Sequence, residues 1–400
     1  MLIIVEGCGA WAMKYLDALK RHKSHGADLK AIFTFDSSFG LESPTWRMPV
    51  KLYSDYLQST LKRVEQVKQA GFAVIDTRDT LFRLMGKKYE GRANLPEYAD
   101  AVFVTTPDST HCDVATFWLR RAARVFVEKP FDVSSARIER FCQELRQQGV
   151  TEVYAIDHYL VRCEQIERRK NFFLQNLDGI ESFEFSMTEE NSAETLNGVA
   201  GRVLSIQEGM IFDMGSHALP VLLPFIDLGR PIEILEVYAG ICDDLQKLFF
   251  RNAESYSEAR VRLWLRPQFG GGQAKGALIA GKMVGDKPGK HLLLKDAPEK
   301  QVTIQLGGDF EVSSRDTSGS SKALGRLNPD WAYLLVQELF NGALPQTVTG
   351  FQPEGALSVV RFLEQWRNLS RARSLTGQPL PIYKAGNEAP VLRCPTFKIY

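Results

Sequence analysis

The sequence lacks the features that mark secreted, membrane-spanning and zinc-binding proteins. Its six cysteines are scattered and include no Cys-x-x-Cys pair, which favours a reducing compartment and predicts no metal site. No run of about 18 apolar residues is present, so no membrane span is predicted. The apolar start, Met1 to Val5, is followed by Glu6 and is too short for a signal peptide. We therefore expect a cytoplasmic protein.

The sequence also lacks an excess of either charge. Lys and Arg number 49 against 48 Asp and Glu, which gives a net charge of +1. Such a balance offers no general attraction to nucleic acid or to an anionic membrane surface, so neither partner is expected. No internal repeat is visible. The length of 400 residues, with 44% hydrophobic and 24% charged residues, predicts a globular chain of two domains.

A glycine-rich turn follows the first apolar segment. Leu2 to Val5 is predicted to be a strand and a helix is predicted from about Trp11 to Arg21, with Gly-x-Gly-x-x-Ala between them. Strand, glycine turn and helix are the context that a dinucleotide-binding fingerprint requires. The first glycine permits a tight turn, the second lets a pyrophosphate approach the backbone, and the alanine allows close helix packing. The predicted cofactor-binding residues of this turn are Gly7, Gly9, Ala10, Trp11 and Ala12.

The second predicted strand, Lys30 to Phe35, ends on Asp36. A carboxylate at this place accepts hydrogen bonds from the hydroxyls of the adenosine ribose and repels a 2′-phosphate. No arginine follows at once; Ser37 and Ser38 do. The sequence therefore favours NAD, and the two serines leave NADP open.

Strand-like and helix-like segments alternate through the first part of the chain, which predicts a mostly parallel, doubly wound α/β sheet. The stretch from Phe39 to Leu95 is longer than one strand–helix unit needs, so an insertion is expected there. A helix is predicted from about Thr110 to Ala122. The last strand of this domain, Val153 to Ile156, leads into Asp157, His158 and Tyr159, at a strand end where open α/β sheets bind ligands.

Successive strand-like runs without intervening helices predict a large, mostly antiparallel open sheet in the second half, within an α+β domain. A helix from Met210 to Leu228 is predicted to carry Asp213 and His217. The expected domains are residues 1–158, which bind the dinucleotide, and residues 159–385, which bind substrate and mediate oligomerisation. Residues 386–400 are expected to be a Pro-rich tail without periodicity.

Two groups of residues resemble known enzymes. Thr105, Thr106, Pro107 and His111, followed by Glu128, Lys129 and Pro130, resemble the glucose–fructose oxidoreductase/inositol dehydrogenase family. Asp-His-Tyr-Leu at 157–160 resembles a motif of glucose-6-phosphate dehydrogenase. The resemblance implies an NAD(P)-dependent sugar or sugar-phosphate dehydrogenase, with the first group contacting the cofactor. It also implies a homodimer or homotetramer formed through the large sheet.

The candidate catalytic residues follow from the chemistry of hydride removal from an alcohol, which requires loss of the hydroxyl proton. Neutral imidazole suits this near pH 7, so His217 is the predicted general base. An acid on its second ring nitrogen would fix the tautomer. By the resemblance that acid is Asp157; by proximity in sequence it is Asp213, four residues away on the predicted helix. Lys129 is expected to polarise the reacting oxygen.

The resemblance further implies that His158, Tyr159 and Arg162 hold a substrate phosphate. The sequence departs from the glucose-6-phosphate dehydrogenase motif at two positions, where Val161 replaces a glycine and Arg162 a lysine. An unphosphorylated sugar or cyclitol therefore stays open as the substrate. Two other classes remain as alternatives, a non-catalytic NAD-binding sensor and a metal-dependent hydrolase that uses His158, Asp213 and His217. No metal-ligand spacing supports the hydrolase.

Overall fold

The computed structural model describes most of the N-terminal half of the chain and separate segments of the remainder. It divides into two compact units: the first comprises Met1–Ile156 and Asp330–Leu357, and the second begins at Asp157 and holds most of the rest. The described residues are 1–39, 50–149, 151–157, 177, 179–189, 210–222, 225, 232–242, 258–265, 267, 272–282, 289–296, 300–308, 311–316, 318–326, 330–342, 352–375, 382–383 and 391–399.

The first unit is built on a parallel sheet of six strands, which confirms the predicted doubly wound architecture. The strand order is β3-β2-β1-β4-β5-β6, so the winding direction reverses between β1 and β4, where such sheets bind their ligands. The strands are near-continuous apolar runs because helices cover both faces. Their bounds are β1 Leu2–Glu6, β2 Lys30–Phe35, β3 Ala73–Asp76, β4 Ala99–Val104, β5 Ala122–Glu128 and β6 Glu152–Ile156.

The helices of the first unit follow the strands as the alternating pattern predicts, with one shorter than expected. The predicted helix to Ala122 ends at Trp118, because Arg120 adopts a left-handed backbone conformation (φ 66°) and Ala122 already begins β5. The helices are α1 Ala10–Ser24, α2 Val50–Gln69, α3 Asp79–Leu84, α4 His111–Trp118 and α5 Ser135–Gln148. Short 3-10 turns cover Glu90–Arg92 and Asp108–Thr110.

A helix from the C-terminal half also belongs to the first unit. It is α8, Trp331–Asn341, and it packs on α1. The Trp331 ring meets Tyr15 edge-on at 5.4 Å between centroids and Trp11 at 6.0 Å. Trp331 and Tyr15 are almost fully buried, so this contact closes one side of the first core.

The second unit contains a mostly antiparallel sheet of ten described strands, as predicted. Its first strand in sequence, β7 (Ser182–Glu189), lies in the middle, parallel to β10 and antiparallel to β11. Phe183, Phe185 and Met187 of β7 point to one buried face, and polar residues alternate with them. The other strands are β8 Ile232–Cys242, β9 Glu258–Leu265, β10 Ala274–Lys282, β11 Lys290–Lys295, β12 Gln301–Gln305, β13 Glu311–Arg315, β14 Ser321–Arg326, β15 Ile382–Tyr383 and β16 Val391–Ile399.

The segment that was predicted to be a Pro-rich tail without periodicity contains a strand at residues 391–399. They form β16, which pairs antiparallel with β8. Pro395 falls in a register shift between Arg393 and Phe397, and such irregularities are among the places where sheets accept proline. A Pro-rich composition is therefore compatible with an edge strand here.

Candidate active site and cofactor site

The glycine turn of the first unit has the geometry that its sequence predicts. Gly7 has a positive φ of 115°, and a Cβ atom there would lie 2.9 Å from the carbonyl oxygen of Thr105. Only glycine fits this close approach between the loops that follow β1 and β4. The Gly7 N–H donates to the Thr34 hydroxyl at 3.1 Å, which fixes the turn against β2.

The residues present fit a dinucleotide. Gly9 is the N-cap residue of α1, no side chain caps the helix, and the space in front of its Cα is open. The first N–H groups of α1 are therefore directed at an open surface, as pyrophosphate binding requires. Ala12 is fully buried, which allows α1 to pack closely on β1. Of the other predicted residues of this turn, Ala10 is exposed and Trp11 contacts Trp331.

Asp36 stands at the end of β2 as predicted, and the protein already uses most of its acceptor capacity. One carboxylate oxygen accepts hydrogen bonds from the Ser38 N–H (2.9 Å) and hydroxyl (2.5 Å), and the other accepts one from the Thr80 N–H (2.9 Å). A carboxylate has about four acceptor positions. The carboxylate therefore has little capacity left to accept hydrogen bonds from ribose hydroxyls. The Thr80 N–H at the start of α3 also fixes its position.

Asp36 lines a cleft with about 570 Å³ of empty space, part of it open to solvent. Phe39, Tyr89, Pro107 and Val114 give the cleft apolar surface of the kind that accepts a planar base. Two further lining residues, Arg83 and Lys88, are basic and come from the segment that the sequence marked as an insertion. The remaining lining residues are Asp79, Thr80, Arg92, Thr106, Thr110 and Asp113.

A buried ion pair that no sequence pattern indicated reaches this cleft through Arg92. Glu6, the last residue of β1, is fully buried and pairs with Arg92, whose side chain is 2% exposed. Glu6 also accepts hydrogen bonds from the Trp118 indole N–H at 2.6 Å and the Thr34 hydroxyl at 2.5 Å. Burial opposes the charge on Arg92, but Glu6 and Asp79 raise the pKa of its guanidinium above the ordinary value.

Arg92 thereby links its own segment to the end of β1, through Glu6, and to the start of α3, through Asp79. Its second terminal nitrogen donates to Asp79 at 2.5 Å, at the start of α3. Next to it, Gly91 packs so tightly that a Cβ atom would overlap the carbonyl oxygen of Thr77. The segment between Thr77 and Arg92 is thus closed on itself and forms one wall of the cleft. A distance of 86 residues along the chain separates Glu6 from Arg92, so no local pattern announces the pair.

The family-like residues after β4 are brought together, but His111 is not directed at a ligand. Its ring is buried, with Nδ1 2.9 Å from the carbonyl oxygen of Pro130 and Nε2 2.7 Å from that of Thr106. Thr105 donates its hydroxyl to the Glu6 carbonyl at 2.9 Å and backs the glycine turn. Thr106 and Pro107 line the cleft.

The Glu128-Lys129-Pro130 turn follows β5. Glu128 is buried and accepts a hydrogen bond of 2.7 Å from the hydroxyl of Tyr15 on α1. Burial raises the pKa of Tyr15 well above its ordinary range, and the Glu128 carboxylate adds to this effect. This acid therefore secures α1 to the sheet. Lys129 is half-buried, and the Lys129–Pro130 peptide bond is cis.

The second unit holds a buried acid–imidazole pair. His217 Nδ1 lies 2.6 Å from a carboxylate oxygen of Asp157; Asp157 is fully buried and the His217 side chain is 4% exposed. A carboxylate in contact with Nδ1 places the proton there in the neutral ring and leaves Nε2 as the basic nitrogen. Asp157 follows directly on Ile156, the residue of β6 that pairs with Glu128 of β5.

The helix predicted to carry Asp213 and His217 is interrupted between the two residues. The expected continuous helix is broken into α6 (Met210–Asp213), a 3-10 turn (Gly215–His217) and α7 (Ala218–Leu222). Gly215 packs against the Trp366 ring, where a Cβ atom would lie only 2.9 Å away, and the chain tightens around this contact. Of the two acids that the sequence offered as the partner of His217, the structure brings Asp157 to its Nδ1.

Three predicted substrate-binding residues, His158, Tyr159 and Arg162, lie outside the described residues. Within the described ranges, no group of His, Cys, Asp and Glu side chains has the arrangement of a metal site. None of the helices described is long and apolar enough to cross a membrane.

Comparison with known proteins agrees with this geometry. Residues 1–156 match the family GFO_IDH_MocA, described as an oxidoreductase family with an NAD-binding Rossmann fold. The N-terminal domain therefore resembles this family over its whole length. Its fold is that of an NAD-binding Rossmann domain, as the strand, glycine turn and helix predicted. No curated protein matches the chain by sequence.

Several solved structures share the fold of the whole chain at low sequence identity. An inositol dehydrogenase homologue from Azotobacter vinelandii, in complex with NADH and myo-inositol, is 15% identical with a TM-score of 0.61; the match covers 93% of this chain and 96% of that one. The WlbA dehydrogenase from Bordetella pertussis, with NADH and UDP-GlcNAcA, is 13% identical with a TM-score of 0.59, over 96% and 99% of the two chains. A 3-ketoreductase from Actinomadura kijaniata, with NADP and TDP-benzene, is 15% identical with a TM-score of 0.60, over 92% and 97%.

Proposed function

We propose that the protein is an NAD-dependent oxidoreductase that transfers a hydride between the nicotinamide and a hydroxyl-bearing carbon of a sugar-like substrate. The observation that carries the proposal is the buried pair of His217 and Asp157. When bound, the nicotinamide ring supplies the hydride chemistry. The side chains of the protein then have to move the hydroxyl proton.

His217 is suited to hold that proton. With Nδ1 committed to Asp157, Nε2 is free of a ring proton in the neutral form and accepts the proton of a substrate hydroxyl. The imidazolium that results is stabilised by the buried carboxylate, because charge–charge attraction is strong where water is excluded. We assign His217 as general base and Asp157 as the residue that sets its tautomer.

Lys129 is proposed to polarise the reacting oxygen. It is the first residue after β5, and Asp157 is the first after β6, so the two leave neighbouring parallel strands at the carboxyl edge of the sheet. Ligands of open α/β sheets bind at this edge. An ammonium group there would stabilise the negative charge that develops on the oxygen as the proton departs.

The substrate class is proposed from the relatives and from the motif after β6. Two structural neighbours are in complex with myo-inositol and UDP-GlcNAcA, which both contain a polyhydroxylated ring. The Asp-His-Tyr-Leu motif favours a hexose 6-phosphate, with His158, Tyr159 and Arg162 on the phosphate. An unphosphorylated sugar or cyclitol is the second candidate, because Val161 and Arg162 depart from the motif. Turnover of glucose 6-phosphate, glucose and myo-inositol, each with NAD and NADP, separates the two.

Asp36 supports a preference for NAD, and its surroundings limit that preference. Its charge opposes a 2′-phosphate, but three hydrogen bonds from the chain already disperse that charge. Arg83 and Lys88 line the same cleft and would attract a phosphate. We therefore propose that NADP is accepted as a weaker cofactor.

The assembly and location of the protein are proposed on the family resemblance. We expect a cytoplasmic homodimer or homotetramer that forms through the large sheet. Light scattering of the purified chain gives the subunit number. A monomer at micromolar concentration would contradict this proposal.

Replacement of His217 tests the central assignment. His217→Asn should lower kcat by about 10²–10⁴, as expected for loss of a general base, and should leave NADH affinity unchanged. His291→Asn is the matched control, because His291 also contacts a carboxylate, that of Glu184 at 3.1 Å, on the large sheet. The control should keep wild-type turnover.

Two outcomes would contradict the assignment. If His217→Asn keeps most activity and Lys129→Ala abolishes it, the lysine is the proton acceptor. If the wild-type protein binds NADH but turns over no sugar, sugar phosphate or cyclitol, it is a sensor on the same fold.

A further inference from the structure

His111 is a buried imidazole that the proposed reaction does not use. It begins α4 and is 1% exposed, so it contacts neither solvent nor a bound molecule. Both ring nitrogens instead lie at hydrogen-bond distance from backbone carbonyl oxygens, at 2.9 Å from Pro130 and 2.7 Å from Thr106. The ring therefore connects two backbone segments inside the protein and does not face a bound cofactor.

The two carbonyls belong to different cofactor loops. Thr106 lies in the loop after β4, which backs the glycine turn through Thr105 and lines the cleft. Pro130 lies in the turn after β5 and is joined directly to Lys129. Since β4 and β5 are neighbouring strands, the imidazole spans the gap between two adjacent loops at the carboxyl edge of the sheet.

A second contact holds the same turn. Asp132 is fully buried, and one of its oxygens accepts the Cys112 N–H of α4 at 3.3 Å. Its other oxygen accepts the N–H groups of Val133 and Ser134 at 2.8 and 3.2 Å, which closes the turn that starts at Lys129. The first two residues of α4, His111 and Cys112, thus contact this turn at Pro130 and at Asp132.

We propose that His111 is a positioning residue that ties the loop after β4 to the Lys129–Pro130 turn and so places Lys129 and the cofactor. The part of the proposal that concerns Lys129 rests on the proposed function. The part that concerns the cofactor does not, because it requires only that the domain binds NAD.

His111→Phe tests the inference in the full-length protein, since phenylalanine keeps a buried ring and removes both ring nitrogens, including the single N–H donor of the neutral imidazole. NADH affinity, measured by fluorescence without any substrate, should weaken by roughly 3- to 10-fold, the range expected for one lost hydrogen bond. His22→Phe is the matched control. His22 is a buried imidazole of the same unit whose ring stacks on Tyr333 at 4.2 Å and whose Nε2 contacts the Tyr333 carbonyl oxygen at 3.2 Å.

The control separates positioning from general stability. Both variants should lower Tm, but His22→Phe should bind NADH as the wild type does. Equal NADH affinity in all three proteins, or equal weakening in both variants, would overturn the inference. If His111→Phe does not fold, His111→Gln can be used instead, because glutamine retains an N–H donor. This variant should show a smaller loss of NADH affinity, and wild-type affinity would count against the proposed role of His111.

A double-mutant cycle tests the link to Lys129. If His111 acts through Lys129, His111→Phe should lower kcat by a smaller factor in a Lys129→Ala background than in the wild type. Equal factors in both backgrounds would overturn this part. Wild-type turnover of Lys129→Ala alone would instead remove Lys129 from the proposed function, and the NADH measurements would still decide the role of His111 in the cofactor loops.

Discussion

The buried pair of Arg92 and Glu6 yields the sharpest stability prediction. Arg92→Met removes one partner and leaves the Glu6 carboxylate at zero exposure. Breaking a buried ion pair in this way costs about 3–5 kcal/mol, because the remaining charge is uncompensated. Trp118 and Thr34 still donate to Glu6, so we expect the lower end, about 3 kcal/mol. Whole domains are stable by only about 5–15 kcal/mol, so the loss should be large enough to make the variant temperature-sensitive.

Urea unfolding followed by tryptophan fluorescence measures this loss in the first unit. Arg124→Met is the control, because Arg124 pairs with Glu152 at 3.0 Å in an exposed position on the same sheet. An exposed pair contributes about 0–1 kcal/mol, so the control should unfold close to the wild type. The double variant of Arg92→Met with Glu6→Gln should be more stable than Arg92→Met alone, since it removes the stranded charge. If Arg92→Met costs no more than Arg124→Met, the reasoning is refuted.

Three further predictions concern the cofactor cleft and its surroundings. Asp36→Asn should narrow the preference for NAD over NADP in calorimetric titrations, because it removes the charge and retains an acceptor oxygen; a wider preference would contradict this. Burial raises the pKa of Cys8 to about 12 and that of Cys142 to about 11. Iodoacetamide at pH 8 should therefore label both thiols only after the protein is unfolded in urea. Labelling of the native protein, read by mass spectrometry, would show the reasoning to be wrong. Burial lowers the pKa of His111, so this imidazole binds a proton more readily in the unfolded chain than in the folded protein. The free energy of unfolding should therefore fall as pH decreases through about 6.5 and below. His111→Phe should flatten this pH dependence, and an unchanged slope in urea titrations would contradict the prediction.

Local patterns were sufficient for the first sheet. Lys30–Phe35 was predicted to the residue because an apolar run with β-branched and aromatic members ends abruptly on Asp36. The succession of strand-like runs in the second half likewise predicted the second sheet. Strands β13 and β14 carry little of this signal, because their serine, glycine and lysine residues leave no regular apolar alternation.

Long-range contacts limited what could be predicted of the candidate site. The helix expected from Met210 breaks because Gly215 meets Trp366, a contact between residues far apart in sequence. The pair of Glu6 and Arg92 could not be predicted either, because the two residues are far apart in sequence. In the sequence alone, an acid at a strand end looks like an ordinary surface residue. His217 and Asp157 were named from chemistry and resemblance. Their contact, 60 residues apart along the chain, became visible only in the structure.

The central position of β7 has a consequence for biosynthesis. Ser182 pairs with Lys275 of β10 and with Lys295 of β11, so both neighbours of β7 are translated long after it. At about 5–20 residues per second, the strand leaves the ribosome roughly 5–20 s before its parallel partner exists. During that interval Phe183, Phe185 and Met187, all buried in the finished protein, have no sheet to cover them. The nascent chain should therefore depend on chaperone binding at this segment, and slow translation between Glu189 and Ala274 should lower the yield of native protein.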